Sequence, residues 1–116
     1  MRRMKWKSIP FRLLALCVFA SAACGGGEGH EIYMQAGCDE CHGVDLKGSP
    51  SSGPTLQGVK KHWNEDRLLA YFRDPDSIAA TDPRLSEMRE LYGDGMPPLK
   101  LADPIAREKL ARYVLR

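Results

Sequence analysis

"CDECHG", Cys38 to Gly43, sets two cysteines three positions apart, with a histidine directly after the second. Three chemistries use such a pattern: a redox-active disulfide, part of a zinc site, and covalent attachment of haem. A thioredoxin-like dithiol sits in a strand–helix–strand setting, and this chain has no strand-like alternation of useful length. A structural zinc site takes four ligands in a tetrahedron. Cys38, Cys41 and His42 with His30 or His62 supply that number, but Cys41 and His42 are neighbours whose side chains do not converge easily on one ion. There is also no second cysteine pair. Covalent haem fits every feature: the two thiols clasp one edge of the ring as thioethers, and the adjacent imidazole reaches the iron.

Toward the N-terminus, "MRRMKWKSIPFR" carries five basic residues and no acid, and "LLALCVFASAAC" follows as a short apolar run ending in small residues. A basic head, a greasy run too short to span a bilayer and a small-residue end describe an export signal over residues 1–23. "SAAC" resembles the lipobox of bacterial lipoproteins, although Ser21 stands where leucine is usual. The resemblance makes Cys24 the lipidated N-terminal residue of the mature protein, with residues 24–29 as a glycine-rich tether to the membrane. The alternative is ordinary cleavage near Ala23, which leaves a soluble protein. Loss of the signal takes 17 basic residues to 12 against 15 acids, a net charge of −3. No basic patch remains to suggest nucleic acid. Cys17 leaves with the signal, so Cys38 and Cys41 are the two thiols left to the domain, residues 30–116.

Along that domain the pattern is helical. Residues 30–37 lead into the cysteines, and residues 43–62 form a loop rich in glycine, serine and proline. Asn64 caps a helix carrying Leu68, Leu69, Tyr71 and Phe72, which Pro75 stops. Asp82-Pro83 opens another, with Leu85, Met88, Leu91 and Tyr92 as a core-facing stripe up to Gly93. Asp103-Pro104 opens the last, with Ala106, Leu110, Tyr113 and Val114 on one side. The expectation is a small all-α domain of about four short helices. About 90 residues so divided bury little, and something else has to fill the middle.

Taken together, the motifs resemble the small monohaem cytochromes c of the class I type over roughly residues 29–115. Cys38, Cys41 and His42 match the attachment motif. Gly29 and Tyr33 match the first helix, which in the family crosses the last one, here offering Leu110 and Tyr113. "GPTLQG", Gly53 to Gly58, matches the segment whose proline carbonyl accepts a hydrogen bond from the axial histidine, so Pro54 is expected to orient His42. "GDGMPPL", Gly93 to Leu99, matches the loop that supplies the sixth ligand, Met96. The resemblance implies the cytochrome c fold wrapped around one covalently bound haem c and its iron.

Met88 competes with Met96, but its helical spacing points to packing. Met34 reads as packing too. His30 and His62 read as solvent-facing, with replacement of methionine by either as the alternative. Trp63 is a half-buried aromatic beside a helix start or a donor to a haem propionate, as in some family members. Arg73 and Arg84 are candidate propionate partners.

The resulting expectation is an exported single-electron carrier on the periplasmic side of a bacterial membrane, held there by lipid. It would pass electrons between membrane electron-transfer complexes or oxidases. It would not be an enzyme, since filled axial positions leave no coordination site for a small-molecule substrate. Two alternatives stand: a haem sensor or gas- or peroxide-reactive protein with a labile sixth position, and a fixed haem subunit of a larger oxidoreductase.

Overall fold

The computed structural model describes residues 27–93 and 95–116. The candidate signal, Cys24 and residues 25–26 lie outside them, as does Asp94. The helices run α1 (Gly27–Gln35), α2 (Asp39–His42), a 3₁₀ turn (Val59–Lys61), α3 (Glu65–Arg73), α4 (Pro75–Ala79), α5 (Pro83–Tyr92) and α6 (Pro104–Val114). Among the described residues the extended structure is one isolated bridge between Ser49 and Gly53, and no helix is long and apolar enough to cross a membrane. The domain is all-α.

Four of these helices start on side chains that accept the orphan N–H groups of a first turn. Asn64 accepts from Arg67 at 2.8 Å, Asp74 from Ser77 at 3.1 Å, Asp82 from Arg84 at 3.0 Å and Asp103 from Ile105 at 2.9 Å. Each such cap is worth about 1 kcal/mol. Pro75 does end α3, but it also begins α4, a helix absent from the sequence reading. The first helix starts earlier than expected as well. Residues 27–29, read from sequence as tether, form its first turn, and Glu28 is tied to Lys109 of α6 at 2.5 Å.

The core sits where α1 and α3 both pack against α6. Tyr33, Leu110 and Ala111 have no exposed surface, and Leu68, Phe72, Tyr113 and Val114 close around them. Burying one large apolar side chain contributes about 1.5–3 kcal/mol, so this small set carries much of the stability. Gly29 permits the crossing: a methyl there would lie 2.7 Å from Tyr113 Cβ, a separation no packed pair of carbons tolerates. Tyr33 and Tyr113 meet at 5.5 Å between ring centroids, in the tilted arrangement aromatic pairs prefer.

The fifth helix departs from its expected stripe. Only Leu85 is buried, Met88 is partly exposed and Leu91 is 69 % exposed. The reason is geometric: α5 packs on α4, a helix of five residues, and Leu91 is left uncovered.

Candidate functional site

Cys38 directly precedes the single turn of α2, which carries Cys41 and His42, and the His42 N–H donates to the Cys38 carbonyl at 2.9 Å. That turn gives the two sulfurs and the imidazole their relative places. Both cysteines are free thiols, Cys38 partly buried and Cys41 exposed. Burial pushes the Cys38 thiol up to about 11, with the Asp39 carboxylate adding to it. A redox-active dithiol needs the opposite shift, toward thiolate. Nor do three or more His, Cys, Asp or Glu side chains gather among the described residues as a metal site would need. Among the described residues neither rival of the haem reading gains support.

The loop after α2 folds back over it. Gly48 donates to the His42 carbonyl at 2.7 Å, and Leu56 to the Leu46 carbonyl at 2.8 Å. Leu46 holds a left-handed φ of 63°, uncommon for a residue with a branched side chain. Its carbonyl accepts from Thr55 Oγ1 as well, at 3.1 Å, so the strained residue is tied on two bonds. Two glycines allow the close approach. A methyl on Gly48 would come within 2.6 Å of the Pro54 carbonyl carbon, and one on Gly53 within 2.9 Å of the Cys41 oxygen.

This folding delivers Pro54 to the imidazole: His42 Nδ1 donates to the Pro54 carbonyl at 2.8 Å. A carbonyl only accepts, so Nδ1 is the donor, and Nε2 is the nitrogen on the far side of the ring. On the near side, the Tyr33 hydroxyl donates to the Gly43 carbonyl at 2.6 Å. Burial holds that phenol well above its usual range, which keeps it a donor. Helix α1 is thereby locked to the end of α2.

Met96 lies in a loop that leaves α5 through Gly93 (φ 83°) and Gly95 (φ 74°). Such positive angles are open to glycine at little cost. The sulfur-bearing side chain is partly buried and packs against the core. Beyond the two prolines, the Leu99 N–H donates to the Phe72 carbonyl at 2.9 Å, fixing the loop to the end of α3. Met34 packs against the core too, as expected. His62 is exposed. His30 is half-buried rather than fully exposed: its Nδ1 meets the Tyr113 hydroxyl at 2.9 Å, so it serves the α1–α6 crossing.

Trp63 is 9 % exposed and packs on Tyr71 at 4.9 Å between centroids. Arg67 and Arg84 lie over its ring at 4.9 and 5.7 Å, and both pair with Asp82, at 2.6 and 3.3 Å. Burial alone would raise the Asp82 carboxyl. The Arg84 N–H and the two guanidiniums outweigh it and hold the group below the usual carboxylate range. Arg67 had no signal in the sequence beyond a helical position facing Trp63. Arg73 is exposed at the end of α3.

An all-α domain with a helix-borne Cys-x-x-Cys-His, an imidazole oriented by a proline carbonyl and a Met-Pro loop defines a class of small haem proteins. The family model for cytochrome c matches residues 27–116, and the chain belongs to the cytochrome c family. No curated protein and no solved structure matches the chain. Membership makes it a haem-binding electron-transfer protein with redox partners, its haem c attached covalently and holding iron. The residues present fit that group: two free thiols, one just before and one on a single helical turn, and an imidazole whose Nε2 is left for the metal.

Proposed function

We propose that this chain is an exported, lipid-anchored carrier of single electrons, with Cys38 and Cys41 attaching one haem and with His42 and Met96 as axial ligands. The observation that carries the reading is the 2.8 Å bond from His42 Nδ1 to the Pro54 carbonyl. It fixes the tautomer and the ring plane, as second-shell partners of metal-bound histidines do. When bound, the haem iron would supply a one-electron couple, and thioether ligation by Met96 would raise its potential. The protein's part is to hold both ligands still, so that little has to move when the charge changes. Met96 suits that part, since two prolines constrain the backbone directly after it and the Leu99 N–H ties the loop to the Phe72 carbonyl. With both positions filled, no site is left for a substrate.

Optical spectra of both oxidation states, with and without carbon monoxide, test the carrier reading. The expected result is a reduced spectrum unchanged by carbon monoxide. A wild-type protein that binds the gas readily would instead be a sensor or a gas- or peroxide-reactive haem protein.

Anchoring at Cys24 on the periplasmic side of a bacterial membrane rests on "SAAC" and the glycines after it. The several acyl chains of a bacterial lipoprotein hold firmly where one would not. Labelled fatty acid should enter the wild type and be absent from Cys24→Ser. A mature N-terminus found free and unmodified would make the protein a soluble carrier. In either form the partners are redox proteins, such as membrane electron-transfer complexes or oxidases.

A further inference from the structure

We propose that Arg89 is a positioning residue for the Met96 loop, a clamp that keeps the thioether on the sixth position; the inference rests on Met96 being the ligand. Arg89 stands in the last turn of α5 and folds forward over Gly95. A methyl on Gly95 would lie 2.9 Å from Arg89 Nε, 3.3 Å from Cγ and 3.5 Å from Cδ, so the arginine stem covers the backbone immediately before Met96. Gly95 therefore serves twice: its φ of 74° turns the chain, and its bare Cα leaves room for the stem.

The head of the same side chain is held from the other direction, by an ion pair with Asp76 of α4. Asp76 is 81 % exposed, so that pair is weak and serves mainly to aim the arginine. The stem contact does the holding, as long cationic side chains do when they lie along a surface. At the far end the loop is tied by Leu99 N–H to the Phe72 carbonyl at 2.9 Å. Met96 thus sits between two anchors, one a backbone bond and the other Arg89. Removing the second leaves the loop hinged at Leu99, and the sulfur leaves the iron more often.

Imidazole titrated into the oxidised holoprotein reads this directly, because it binds only while the sulfur is away, and its apparent affinity scales with the open fraction. Arg89→Ala should bind imidazole about tenfold more tightly than wild type, with haem content and helical circular dichroism unchanged. Arg89→Lys, which keeps stem and charge, should return to within about threefold of wild type, and Asp76→Asn should move the affinity by only about twofold. An Arg89→Ala protein with wild-type imidazole affinity overturns the clamp. Should that variant fail to give folded holoprotein, Arg89→Gln, which shortens the stem and removes the charge while keeping a helix-forming residue, carries the same direction of effect and the same refutation. The Met96→Ala protein separates the two readings. If wild type already binds imidazole as tightly as Met96→Ala does, Met96 is not the ligand and the clamp has nothing to hold.

Discussion

Met96→Ala loses the weak sulfur-to-iron band of the oxidised protein, lowers the reduction potential and opens the reduced iron to carbon monoxide. The loop geometry is the reason. Gly93 ends α5, Gly95 reverses the chain and the Leu99 bond to Phe72 returns it to the core, so one thioether is presented from a constrained backbone. Alanine leaves no donor in that position. Thioether ligation favours the reduced state, so its loss should cost on the order of 0.1 V, a fraction of the ~0.8 V that axial ligands span. Met88→Leu is the control. Its side chain is partly exposed on α5, and a volume-conserving swap there costs less than ~1.5 kcal/mol and leaves band, potential and gas binding as they were. If the two variants exchange behaviours, Met88 is the ligand.

The double variant Cys38→Ala, Cys41→Ala should release haem under denaturing conditions and leave a largely unfolded chain. Haem staining of a denaturing gel reads the first effect, and far-ultraviolet circular dichroism the second. Thioether bonds survive denaturation whereas axial ligation does not, so a haem-stained band from the double variant would refute covalent attachment at these two positions. The unfolding follows from where the core lies. Between Met34 and His62 the described chain contributes no fully buried apolar side chain. Residues 43–58 are held instead by backbone bonds, among them Gly48 to His42 and Leu56 to Leu46, and by what they wrap. A domain of this size has little stability in reserve, and a stretch without apolar burial of its own is the first to open.

The α1–α6 crossing and the Pro54 contact were legible only through the resemblance to the class I cytochromes c, carried by Gly29, Tyr33 and "GPTLQG", whereas the attachment turn was legible from local chemistry, a fixed cysteine spacing. The helix starts at Asn64, Asp82 and Asp103 were legible for the same reason. Helix α4 was not, although its signal was present. Asp74-Pro75 is the same aspartate-proline device as the two that follow it, but a proline after a helix reads first as a stop. The burial of α5 failed differently. A stripe in sequence says which residues share a face, and only tertiary structure says whether another helix covers it, so Leu91 ended in solvent. Arg89, Arg67 and the Tyr33 hydroxyl had no local signature at all. What they do depends on residues that meet them through the fold, at Gly95, Asp82 and Gly43.

The meeting of the first and last helices also orders events in time. His30 and Tyr113 touch across 83 residues of chain, and Gly29 has its partner only when Tyr113 is in place. Contacts so distant in sequence form late, because the entropy of closing the intervening loop comes before any reward for it. A polypeptide that emerges N-terminus first therefore exposes Cys38 and Cys41 while nearly everything they will later pack beside is still to come. Until the final eleven-residue helix arrives, the two thiols stand on an open strand of chain, reachable from every side; afterwards Cys38 is partly enclosed. The topology leaves both thiols open to covalent modification throughout synthesis, and the completed fold covers Cys38 in part while Cys41 stays at the surface.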